Sequence, residues 1–218
     1  MAMHAWVCTI GLALAASAAP PANATSTLPV VAPDGQRYTD ADVVARGLPE
    51  APYPALGSRG LFPQTPTVRR LTDEAWLAAS YQRERAAHIN FSRALRIAPN
   101  DRRLLWAYGW GMLNLDRPAQ ALQAFQQNLA LRPGQRPMWV PMALALTYMA
   151  AGQRELAVAW YRTAAASDPR RFGDAAATLR TTLYWTTRER SLVRELIRSS
   201  AQVEEAAPGA LPGDLASR

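Results

Sequence analysis

The spacing of apolar residues divides the chain into regions of different period. Residues 5–19 are an unbroken apolar run without charge. Residues 25–67 carry seven prolines and four glycines, a density that stops long helices and strands. One short helix is expected within this stretch, at residues 40–46, with Thr39 as its N-cap. From residue 68 the apolar positions recur every three or four residues, which is the helical period. That pattern lasts to about residue 200. Residues 201–218 contain Pro208, Gly209, Pro212 and Gly213 and read as a disordered tail.

Within the helical region, the same skeleton occurs three times. It is an alanine, an aromatic four residues on, a small or polar residue three further, and a proline five after that. The copies are Ala87, Phe91, Ala94, Pro99; then Ala121, Phe125, Asn128, Pro133; then Ala157, Tyr161, Ala164, Pro169. The alanines lie 34 and 36 residues apart. Alanine lets one helix approach another closely, the aromatic one turn later fills the space between them, and proline closes the unit. A small residue stands twelve positions before each alanine: Ala75, Gly109 and Ala145. The two extra residues of the longer spacing therefore fall in residues 134–137, a loop.

This pattern resembles the tetratricopeptide repeat, W-x2-L-G-x2-Y, then A-x3-F, then P, over about 34 residues. The middle copy matches best, with Leu105, Tyr108, Gly109 and Met112 on the leading helix. The third keeps Leu144 and Tyr148 but has Pro141 at the tryptophan place; the first is good mainly in its second helix. The resemblance implies an all-α fold, a short right-handed superhelix of antiparallel helix pairs, preceded by a Pro-rich extended segment. Its units are residues 68–101, 102–137 and 138–171. Residues 172–200 lack the skeleton and read as a degenerate capping helix pair, with helices at 172–184 and 189–200.

In that family the leading helices line the concave face. Here their free side carries Arg103, Trp106, Trp110, Leu113 and Asn114 in the middle copy. Trp106, Trp110 and Leu113 are spaced i, i+4, i+7, one stripe of a helix. The corresponding places hold Trp139, Met142, Leu146, Met149 and Ala150 in the third copy, and Arg69, Thr72, Trp76 and Ala79 in the first. The resemblance thus implies a partner-binding groove floored by tryptophan, methionine and leucine, types suited to binding surfaces. Three arrangements stay open: an open groove, a stripe used up in self-packing, and a groove covered by residues 25–67.

Charge narrows the partners. All 24 basic residues are arginine, and the net charge is +7. An acidic protein or an anionic membrane surface would be attracted. Nucleic acid is disfavoured by the first residues, because residues 1–24 read as a secretory signal. The apolar run is shorter than the roughly 20 residues that span a bilayer. It ends in two A-x-A sites, Ala16-Ser17-Ala18 and Ala22-Asn23-Ala24. No Lys or Arg precedes it, which leaves an uncleaved anchor as the alternative to a periplasmic protein.

Chemistry has little to work with. Removal of the leader takes away Cys8 and leaves His88 as the one histidine. Disulfides, cysteine zinc sites and thiol catalysis are then excluded. No Gly-rich phosphate loop appears. We expect no cofactor, no metal and no enzyme, but an exported scaffold or adaptor for a peptide or helix. The other readings are a self-associating structural subunit and a form autoinhibited by residues 25–67.

Overall fold

The computed structural model describes residues 32–40 and 65–206. These are all-α apart from one isolated bridge, which pairs Asp40 with Pro137 in parallel. Helix α1 spans Pro66–Ser80, α2 Glu84–Ile97, α3 Arg102–Asn114, α4 Pro118–Ala130, α5 Val140–Ala150 and α6 Arg154–Ser167. After them come two short helices, α7 at Pro169–Phe172 and α8 at Ala175–Thr181, and the long α9 at Thr187–Ala206.

The starts of these helices follow from local chemistry. Thr65 caps α1 by accepting from the Val68 amide, with Pro66 in the first turn. Asp101 caps α3 by accepting from the Leu104 amide at 2.7 Å. Pro118 opens α4, and Pro141 lies in the first turn of α5, where its missing N–H costs nothing.

The first six helices form three hairpins, α1 with α2, α3 with α4 and α5 with α6. Neighbouring hairpins touch through α1 and α3, α3 and α5, and α4 and α5. One turn geometry closes all three. Gln82 and Asp116 (both φ +58°) and Gly152 (φ +75°) adopt the left-handed conformation just after the leading helix. The amides of Arg83, Arg117 and Gln153 donate back to Ala78, Met112 and Tyr148 at 2.8–2.9 Å. The left-handed residues themselves donate to Ala79, Leu113 and Met149. This pair of bonds is the Schellman closure, which satisfies carbonyls the helix end would otherwise leave open. Positions 82, 116 and 152 keep the 34- and 36-residue spacing of the alanines.

The recurring skeleton is the interior. Ala87, Ala121 and Ala157 are fully buried, and Phe91, Phe125 and Tyr161 are buried beside them. Helix α3 uses two glycines as seats for rings. A Cβ at Gly109 would lie 2.4 Å from the Phe125 ring of its own hairpin, and one at Gly111 would lie 2.7 Å from Phe91 of the preceding hairpin. Each ring that gains such a seat contributes about 1.5–3 kcal/mol through area removed from water. Polar links add to this: Asn128, itself buried, donates to the Arg102 carbonyl at 2.7 Å within the middle hairpin, and Gln82 donates across to the Asn114 carbonyl of the next hairpin at 2.6 Å.

Beyond α6 the chain differs from the expected pair at 172–184 and 189–200. The first expected helix shrinks to α8, and Phe172 belongs instead to the preceding short helix α7. Asp174 supplies a new N-cap by accepting from the Ala177 amide at 2.7 Å, so α8 starts afresh. The second, α9, begins at Thr187 and runs on through Ala206, past the expected stop at residue 200. It packs on α5 and α6, touches α8, and reaches α3. Of the expected helix at residues 40–46, positions 41–46 lie outside the described residues, as do the apolar run at 5–19 and residues 207–218. Asp40 itself joins the α4–α5 loop. Its amide donates to the Arg136 carbonyl at 2.9 Å, and its carbonyl accepts from the Met138 amide at 3.1 Å.

Candidate functional site

The leading helices α1, α3 and α5 carry the stripe that sequence singles out. Trp76, Arg103, Trp106, Trp110, Leu113, Asn114, Met142, Leu146 and Met149 are buried, while Arg69 and Trp139 are half-buried. The rings form a connected series. Trp139 meets Trp106 at 6.5 Å between centroids, Trp106 meets Trp110 at 6.2 Å, and Trp110 meets Trp185 at 5.7 Å, all edge-on. Phe125 touches both Trp110 and Trp139 from α4. Edge-to-face contacts of this kind suit the ring quadrupoles. The Nε1–H groups of Trp106 and Trp110 are buried with no acceptor among the described residues. A buried donor without an acceptor costs about 1–3 kcal/mol.

At the α3 end the stripe meets the start of α9. Thr186 and Glu189 form a capping box: the Glu189 carboxylate accepts from the Thr186 amide at 2.9 Å, and the Thr186 hydroxyl accepts from the Glu189 amide at 3.2 Å. Asn114 joins this box from 75 residues away. Its Nδ2 donates to the other Glu189 oxygen at 2.7 Å and to the Trp110 carbonyl at 3.0 Å, and its Oδ1 accepts from the Thr186 hydroxyl at 2.5 Å. Glu189 is wholly buried, and burial pushes its pKa up to about 7 against the lowering effect of the bonds from Thr186 and Asn114. Arg188 pairs with Asp116, the left-handed residue of the second hairpin, and Arg154 on α6 pairs with Glu195 at 3.5 Å. Leu192, Val193 and Leu196 bury the apolar face of α9.

Two further contacts stand out, one beside the stripe and one on α6. Arg103, buried, stands 3.8 Å from Asp73 of α1; burial lowers the guanidinium pKa and raises that of the carboxyl, outweighing their mutual attraction. Residues 32–40 cover Trp160 of α6: Tyr38, 1% exposed, meets its ring edge-on at 5.6 Å and donates its hydroxyl to Asp34 at 2.7 Å.

Sequence reasoning missed Trp185, Thr186, Glu189 and Tyr38. A signal for two of them was present. Thr186-x-x-Glu189 before an apolar run marks a helix start with a capping box. Nothing local marks the partner Asn114. His88 is exposed on α2, beside a hollow of about 590 Å³ in which Glu84 and Arg117 pair with each other. Among the described residues no group of three or more His, Cys, Asp or Glu is placed to hold a metal ion, and no helix is long and apolar enough to cross a membrane.

The fold and site define an all-α protein of stacked helical hairpins with a tryptophan-rich leading face. No family model, no curated protein and no solved structure matches the chain.

Proposed function

We propose that this chain is a non-enzymatic protein–protein interaction scaffold of the bacterial cell envelope, a short tetratricopeptide-like superhelix that holds a peptide or helix of a partner on its leading helices. The observation that carries the reading is the threefold recurrence of one hairpin. The same left-handed turn at Gln82, Asp116 and Gly152 closes each unit, and the same alanine–aromatic pair fills it. Arrays of such units present a continuous row of leading helices, a surface suited to a polypeptide. The leader-like residues 1–24 support export, with the periplasm as destination. The excess of arginine favours an acidic partner or contact with an anionic membrane surface.

Burial of the stripe favours a second feature of the same reading. The groove is closed in the resting protein, with α9 as its cover. The experiment is capture from envelope extract on the immobilised protein, followed by titration of each retained polypeptide in purified form. Saturable one-to-one binding at micromolar concentration or below is the expected result. If no retained polypeptide binds saturably, the scaffold reading falls.

A further inference from the structure

Helix α9 sits where a ligand of the leading helices would sit. It reaches Trp110 and Asn114 through Trp185, Thr186 and Glu189, and it lies on α5, which carries the other half of the stripe. Its attachment is both apolar and polar. The apolar contact runs through Leu192, Val193 and Leu196 at the third, fourth and seventh positions after Glu189. This is the spacing by which an amphipathic helix lies in a groove. The polar contact is specific. Asn114 reads both members of the capping box, and Asp116 reads the neighbouring Arg188.

A segment needed only for its packing would do better with an apolar residue at position 189. A fully buried carboxyl bonded to a buried amide fixes register and identity instead. The indole N–H groups of Trp106 and Trp110 also have no acceptor among the described residues. An exchangeable occupant accounts for both features.

We infer that α9 is the groove's own resident ligand, and that the external partner is an amphipathic helix of the same design. That helix starts with Ser or Thr, carries Glu three residues on and a basic residue just before it, and then places aliphatic residues three, four and seven positions after the Glu. It binds by displacing α9, so the scaffold is held shut until a matching helix arrives. This inference rests on the scaffold reading above.

The test uses the full chain carrying Val193→Asp and Leu196→Asp, which spoils the apolar face of α9 and leaves α3 and α5 untouched. The probe is a fluorescein-labelled synthetic peptide of residues 184–206. Fluorescence anisotropy should give a dissociation constant at least tenfold lower for the variant than for the unaltered chain. The same peptide carrying Glu189→Ala should bind at least tenfold more weakly than the parent peptide. Equal binding by the two chains overturns the inference. Should the variant lose its helical circular dichroism, amide hydrogen exchange of the unaltered chain decides. Exchange of α9 as a separate unit, less protected than α3 and α5, supports displacement; exchange of all three only together overturns it. A concentration-dependent dimer that trades α9 between copies overturns it too. If the peptide fails while a captured polypeptide of different pattern binds saturably, this inference falls and the scaffold reading stands. If nothing binds saturably, both fall.

Discussion

Glu189, wholly buried at the start of α9, accepts a 2.7 Å hydrogen bond from Asn114 at the end of α3. That bond joins the last helix to the middle hairpin and carries a pH dependence. Burial raises the Glu189 pKa from about 4.5 to about 7, so the native state keeps its proton over a range in which the unfolded chain has lost it. Between those values the native state binds more protons, and stability falls as pH rises; above about 7 the loss is complete and the curve is flat. The full effect is on the order of 3 kcal/mol. Asp73 is raised by burial as well and adds a slope of the same sign. Urea unfolding of the unaltered chain and of Glu189→Gln at pH 5 and pH 8 should therefore give a drop in the first that is largely absent in the second.

Gly109 and Phe125 define the closest approach within the middle hairpin. The ring is held on other sides by Trp110 and Trp139, so it has little room to retreat from a new methyl group. Gly109→Ala should destabilise the protein by about 2 kcal/mol, the usual scale of overpacking. Combining it with Phe125→Leu should recover some of that loss. Thermal unfolding of the three variants checks the order.

Gly152 isolates the backbone cost of the turn. Its φ is +75° and nothing lies within 4 Å of an added Cβ, so Gly152→Ala changes backbone preference alone. A loss of about 1 kcal/mol is expected. At Gln82 the reverse change removes backbone strain but also the bond to the Asn114 carbonyl, so Gln82→Gly should be nearly neutral. Chemical denaturation midpoints distinguish the two.

Trp110 stands out in the sequence as a binding residue. It is 3% exposed and touches Trp106, Phe125 and Trp185. Trp110→Ala should cost about 3–5 kcal/mol of stability, the range for a buried aromatic. Unchanged stability with lost partner capture would place it at an open surface instead.

Much of the fold was legible because its cause is local. The alanine–aromatic skeleton marks the interior of each hairpin. The left-handed turns at Gln82 and Asp116 were hidden, since neither residue is glycine. The split between α7 and α8 turns on a capping aspartate, Asp174, inside a helical period. The candidate site was half legible. Periodicity put Trp106, Trp110 and Leu113 on one face, but a period cannot say what covers that face. The cover comes from a residue distant in the chain, Glu189 onto Asn114, and no window of sequence contains both members of that pair.

The central claim is that α9 must leave Asn114 for a partner to enter. It is tested most directly by tethering α9 in place through a pair that recognition does not use, Arg154 on α6 and Glu195 on α9. With Cys8→Ser as background, Arg154→Cys and Glu195→Cys are joined by a short reducible crosslinker, and binding of the labelled 184–206 peptide and of any captured partner is measured before and after reduction. The account predicts that the tethered chain binds at least tenfold more weakly and recovers when the link is reduced. Equal binding by the tethered and reduced forms would contradict it.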